Sequence, residues 1–152
     1  MRALVVDDER QVLTLLDKYL SMDGFEVVTT TDGAKAVEKA SRETFDVILL
    51  DVMMPEINGF SVCEKIRKSS MNMNVPIVFV TARSDPFGAP TSFKAGGTAY
   101  LTKPFTRRQI MSVVHSVLPC RKKGHEKKAR DPNKTTLKIA ADEIFKKMSV
   151  ET

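Results

Sequence analysis

Five times along the chain a short apolar run, rich in β-branched residues, is set off from segments whose apolar residues recur every three or four positions. The runs are RALVV (2–6), FEVVT (25–29), DVILL (46–50), PIVFV (76–80) and TAYL (98–101). Unbroken runs of this kind suit strands buried on both faces. The segments 10–21, 33–42, 59–68 and 106–117 carry the helical spacing. Val12, Leu15, Leu16 and Tyr19 form one stripe, and Ile110, Val113, Val114 and Val117 another. Strands that alternate with helices pair in parallel, with helices on both faces of the sheet. Right-handed crossovers then leave few topologies. The expectation is an α/β fold, a doubly wound five-stranded parallel sheet closed by Pro119 after the last helix.

One helix is harder to place. The segment SDPFGAPTSFKAGG (84–97) should hold the fourth, yet it contains Gly88, Pro90 and the pair Gly96-Gly97. Proline inside a helix costs about 3 kcal/mol, so Pro90 belongs in a first turn. The spacing predicts a short helix that starts near Ala89 or later.

In such a sheet, functional groups collect at the carboxyl ends of the strands. Strand one runs out into Asp7, Asp8 and Glu9, strand three into Asp51 and strand four into Thr81, and strand five is followed by Lys103-Pro104. Taken singly, Asp7 or Asp8 would serve as a helix cap, Asp51 as a turn, Thr81 as a cap and Lys103 as a solvated charge. Together they fall on one edge of one sheet. Carboxylates gathered there repel one another unless a cation sits among them, and hard oxygen donors suit Mg²⁺. A hydroxyl and an ammonium opposite supply what a phosphoryl oxygen needs. A carboxylate nucleophile, a divalent metal, a lysine and a threonine make a phosphoryl-transfer site. No Walker glycine loop is present, so a nucleotide is not the obvious donor.

At this point the sequence resembles the receiver domains of two-component response regulators. The resemblance covers residues 1–118 and rests on VVDDE, LLDVMMPEINGF, VFVTAR and YLTKPF, in that order and at that family's spacing. It implies a flavodoxin-like (βα)5 receiver of the chemotaxis single-domain type. Asp51 is then the acceptor of a phosphoryl group from a histidine kinase's phosphohistidine. Asp8 and Asp51 bind Mg²⁺, for which Mn²⁺ can substitute, Asp7 acts through a water, and Met53 offers its backbone carbonyl. Lys103 and Thr81 meet the phosphoryl group, Tyr100 swings inward when Thr81 moves, and the Lys103–Pro104 bond is cis. Met53 and Arg83 occupy the positions that tune phosphoryl lifetime, Ala82 leaves the phosphoryl group room, and Pro55 and Gly59 keep the loop after Asp51 open.

Charge divides the chain. Residues 1–118 carry 14 basic and 14 acidic side chains; residues 119–152 carry 10 and 5, which accounts for the whole net charge of +5. A neutral body therefore precedes a basic linker, 119–134, and an extra C-terminal amphipathic helix, 135–152. Leu137, Ala140, Ala141, Ile144, Phe145 and Met148 form its stripe, and a helix so short needs a surface to dock on. A second copy of the chain and the irregular 84–97 face are the candidates. The linker lacks aromatic residues, so nucleic acid is not expected as a partner. A sensor histidine kinase or phosphotransfer protein and a downstream protein target are.

Cys63 and Cys120 have no metal-ligand spacing and fit reduced thiols in the cytoplasm. His115 and His125 are isolated. No apolar run nears the roughly 18 residues that span a bilayer, and no signal peptide precedes the two aspartates. The class expected is a signalling switch rather than an enzyme. The alternative is the receiver part of a DNA-binding transcription regulator, for which about 33 residues after the body leave little room.

Overall fold

The computed structural model describes residues 1–82 and 88–119. In chain order its elements are β1 (Arg2–Val6), α1 (Arg10–Met22), β2 (Glu26–Thr30), α2 (Gly33–Arg42), β3 (Val47–Leu50), α3 (Gly59–Arg67), β4 (Ile77–Ala82), α4 (Gly88–Lys94), β5 (Ala99–Lys103) and α5 (Arg107–Val117). The strands lie in the order β2-β1-β3-β4-β5, and every neighbouring pair is parallel. The expected doubly wound sheet is therefore the fold. The basic linker and the C-terminal helix expected over 135–152 lie outside the described residues.

Side-chain alternation assigns the two faces. Ala3, Val5, Val47, Leu49, Val78, Val80, Ala99 and Leu101 pack with α1 and α5. Leu4, Val6, Ile48, Leu50, Ile77, Phe79 and Tyr100 pack on the other face with α2 and α3. The four residues of β3 are all fully buried, which is why that run shows no polar alternation. Burying each such side chain contributes about 1.5–3 kcal/mol.

Local chemistry sets the helix starts. Asp32 caps α2 by accepting from the Ala34 and Lys35 amides at 2.8 and 3.3 Å. Asn58 caps α3 through the Ser61 amide at 3.0 Å. Thr106 and Gln109 form a reciprocal capping box on α5. The simple cap reading of Asp7 fails: α1 has no side-chain cap, and the Asp7 carboxylate accepts from the Glu9 amide at 2.9 Å instead.

Two expectations are corrected in detail. Helix α4 begins at Gly88, one residue before Ala89, with Pro90 in its first turn as its missing N–H requires. In α1 the buried residues are Leu13, Leu16 and Leu20, while Leu15 is 38% exposed. Both leucine stripes have helical spacing, and the sheet selects the one that faces it.

Candidate functional site at the carboxyl edge of the sheet

The chain leaves β1 toward β2 on one side and returns to β3 on the other, so the crevice of the sheet opens between β1 and β3. Val6 and Leu50 are register partners, and the next residue on each strand is an aspartate. The Asp51 amide donates to the Val6 carbonyl at 2.9 Å, and the Asp7 amide to the Thr30 carbonyl at 3.3 Å. Asp7 and Asp51 are thus held by backbone pairing, at 1% and 4% exposure; Asp8, one residue on, is exposed. Carboxylate oxygens of Asp7, Asp8 and Asp51 lie within 4.8 Å of one another.

Lys103, the last residue of β5, reaches into this cluster. Its ammonium donates to Asp7 Oδ2 at 2.7 Å and stands 3.7 Å from Asp51 Oδ2 and 3.5 Å from Glu9 Oε1. The peptide bond to Pro104 is cis. Burial pulls the Lys103 ammonium down, but the hydrogen bond and charge of Asp7, with Asp51 and Glu9, outweigh it and leave the pKa raised. Burial raises Asp7 in spite of the Lys103 hydrogen bond. Asp51 is pushed up to about 7, first by burial and then by the charge of Asp7, with Lys103 opposing. One ammonium does not balance three crowded carboxylates.

Thr81 is fully buried on β4, and its Oγ1 has no hydrogen-bond partner among the described residues. A buried hydroxyl without a partner costs about 1–3 kcal/mol. Tyr100, on β5, is buried at 9% exposure. Met53 is 50% exposed, two residues beyond Asp51. Gly59 brings the loop back: its amide donates to the Val52 carbonyl at 2.8 Å. Arg83 lies outside the described residues.

The set of donors fits a divalent cation. Hard carboxylate oxygens, two of them buried, repel one another in the crevice, and a cation of two charges offsets that repulsion. The acidic cluster can therefore hold a metal. Asp7, Asp8, Asp51 and Lys103 are brought together, and Thr81 is buried on the adjoining strand. Glu9 ends the acidic run after β1 and has no role that the sequence alone assigns; its approach to Lys103 depends on where β5 ends. Cys63 is buried in α3, its thiol pushed up to about 11 chiefly by burial.

The structure is a parallel five-stranded α/β sheet with three carboxylates and a lysine gathered at its switch point. A family model for the response regulator receiver domain matches residues 3–115, and the chain belongs to that family. It is 38% identical over 117 residues to the alkaline phosphatase synthesis transcriptional regulatory protein PhoP of Bacillus subtilis, a match covering 77% of this chain and 48% of PhoP. The response regulator SaeR of Staphylococcus aureus is 30% identical over 122 residues, with 80% and 52% covered. Among solved structures, the chemotaxis protein CheY4 of Vibrio cholerae aligns with a TM-score of 0.73 at 32% identity, over 77% of this chain and 98% of that one. The receiver domain of a Pseudomonas aeruginosa sensor histidine kinase, solved with a magnesium ion coordinated in its active-site cleft, aligns with a TM-score of 0.69 at 31% identity, over 75% and 93%. The chain spans about half the length of the curated relatives it matches. PhoP is a transcriptional regulator, so the relatives give no support to excluding nucleic acid. No described helix is long and apolar enough to cross a membrane.

Proposed function

We propose that the chain is a phosphorylation-controlled switch in which Asp51 accepts a phosphoryl group from a phosphohistidine. The observation that carries this is Lys103, whose ammonium meets both buried carboxylates, at 2.7 Å from Asp7 and 3.7 Å from Asp51. An Asp51 oxygen attacks phosphorus, the P–N bond to the imidazole breaks, and the imidazole leaves with its electron pair. Asp8 and Asp51 would hold Mg²⁺ with their carboxylates, the Met53 carbonyl would be a further ligand, and Asp7 would act through a water; Mn²⁺ could replace it. The chemistry such an ion supplies when bound is neutralisation of charge on the carboxylates and on the incoming oxygens. Lys103 pairs with the phosphoryl group after transfer. The Thr81 hydroxyl, without a partner among the described residues, donates to a phosphoryl oxygen, and Tyr100 packs inward as Thr81 moves.

A sensor histidine kinase or phosphotransfer protein is the donor, and a downstream protein, with a second copy of the chain as a candidate, reads the altered surface. The chain is a phosphoacceptor with self-phosphorylation and autodephosphorylation chemistry, not an enzyme turning over a separate substrate, and works in the cytoplasm. A second reading, the receiver part of a DNA-binding transcription regulator, is favoured by the relatives being transcriptional regulators about twice as long as the matched region.

Acetyl phosphate with Mg²⁺ is expected to add one phosphoryl group, and peptide mapping should place it on Asp51. A label elsewhere, or one that forms equally in chelator, overturns the assignment. Asp8→Ala should abolish Mg²⁺ binding by calorimetry, because it removes one of two direct carboxylates and the charge balance of the site. Lys103→Ala should keep Mg²⁺ binding yet slow phosphorylation or disconnect it from its structural consequence. Wild-type behaviour of both variants would refute the site.

A further inference from the structure

Gly33 begins α2, a buried position on a different element from every group assigned to the site. A Cβ there would lie 2.5 Å from Ile57 Cγ2, 2.9 Å from Val62 Cγ2 and 3.5 Å from Met54 Cε. Ile57 and Met54 belong to the loop that follows Asp51, and both are partly buried against the core of α2 and α3. The missing side chain is what allows this loop to seat on α2.

We infer that Gly33 is a positioning residue for the metal side of the site, acting through Ile57 on the backbone of the 52–59 loop. The inference rests on the metal reading proposed above. The Ile57 methyl that an alanine would meet is bonded to a β-branched carbon, so it moves only with a stiff χ1 or with the backbone. That backbone is tightly drawn. The Ile57 amide donates to the Pro55 carbonyl at 2.8 Å around Glu56, whose φ is 68°, a three-residue turn. Gly59 closes the same loop onto Val52. A push at Ile57 is therefore passed back toward Met54 and Met53. Helix propensity acts the other way, since alanine favours a helix over glycine. A role confined to α2 would leave Gly33→Ala harmless.

The test is Mg²⁺ titration calorimetry on the folded full chain, with hydrogen exchange of the metal-free protein. Gly33→Ala should weaken Mg²⁺ binding about tenfold, in the range typical of groups that support metal ligands. It should speed amide exchange over 52–58 without doing so in α5. Ile57→Ala alone should weaken binding less. Placed in the Gly33→Ala background it should restore most of the affinity, because the closest contact, 2.5 Å to Ile57, is gone and only Val62 Cγ2 at 2.9 Å must still give. Should Gly33→Ala fail to fold, rescue of folding and of Mg²⁺ affinity in the double variant supports the inference, and failure of that rescue overturns it. Wild-type Mg²⁺ affinity in Gly33→Ala, with Asp8→Ala defective, overturns this inference alone. Absence of Mg²⁺ binding in the wild type overturns the metal reading and takes this inference with it.

Discussion

Metal-free Asp51→Asn protein is expected to be more stable than the wild type at about pH 8, by on the order of 2–4 kcal/mol. Burial, then the charge of Asp7, holds the Asp51 carboxyl up at about 7. A carboxyl raised on folding binds its proton more tightly in the native state than in the unfolded chain. The penalty is therefore absent below the unfolded value near 4, grows as pH rises, and is complete above about 7. A displacement of roughly three units at about 1.4 kcal/mol each sets the upper figure, and readjustment of the neighbouring charges lowers it. Asparagine keeps the shape and cannot ionise. Its advantage should shrink by more than half on going from about pH 8 to pH 5, and Mg²⁺ should reduce it by stabilising the wild type. Urea unfolding followed by circular dichroism, first in chelator and then with Mg²⁺ added, measures all of this. An advantage of equal size at both pH values would refute the account of Asp51.

Gly59→Ala should cost about 3 kcal/mol or more and disturb the acceptor at the same time. Its Cβ would stand 2.1 Å from the Asp51 carbonyl oxygen and 2.9 Å from both the Asp51 carbonyl carbon and Val52 Cα. These neighbours are backbone, with no rotamer to escape into. Relief must come from moving the Asp51–Val52 peptide, next to the Asp51 amide that pairs with Val6, or from opening the Gly59–Val52 hydrogen bond. Gly24 is the control: its φ of +86° strains a side chain, but nothing lies within 4 Å. Gly24→Ala should therefore cost only about 1–2 kcal/mol, from backbone conformation. Equal urea midpoints for the two variants would show that the close approach at Gly59 does not constrain the loop.

The order of elements is legible because each strand is an unbroken apolar run, and each of four helices carries a stripe. Strand boundaries differ by one or two residues. The apolar runs stop at Val80 and Leu101, whereas the pairing of β4 and β5 continues through Thr81 and Ala82 with Thr102 and Lys103. Polar side chains give no apolar signal there, although the ladder still has backbone bonds to make. That extension matters, since it holds Lys103 in the sheet and aims its ammonium at Asp7.

By itself the sequence determined the fold class and the four strand ends at which chemistry could gather, because apolar periodicity and charged punctuation are local and additive. It could not decide which leucine stripe of α1 is buried, or that Gly33 touches Ile57 across 24 positions. Nor could it decide that Thr81 Oγ1 has no partner among the described residues while Lys103 bridges Asp7 and Asp51. Those facts depend on distances between elements, and only packing the helices on the sheet fixes them. The pKa of Asp51 is of the same kind: burial and a neighbouring charge set it, and neither exists until β1 and β3 lie side by side.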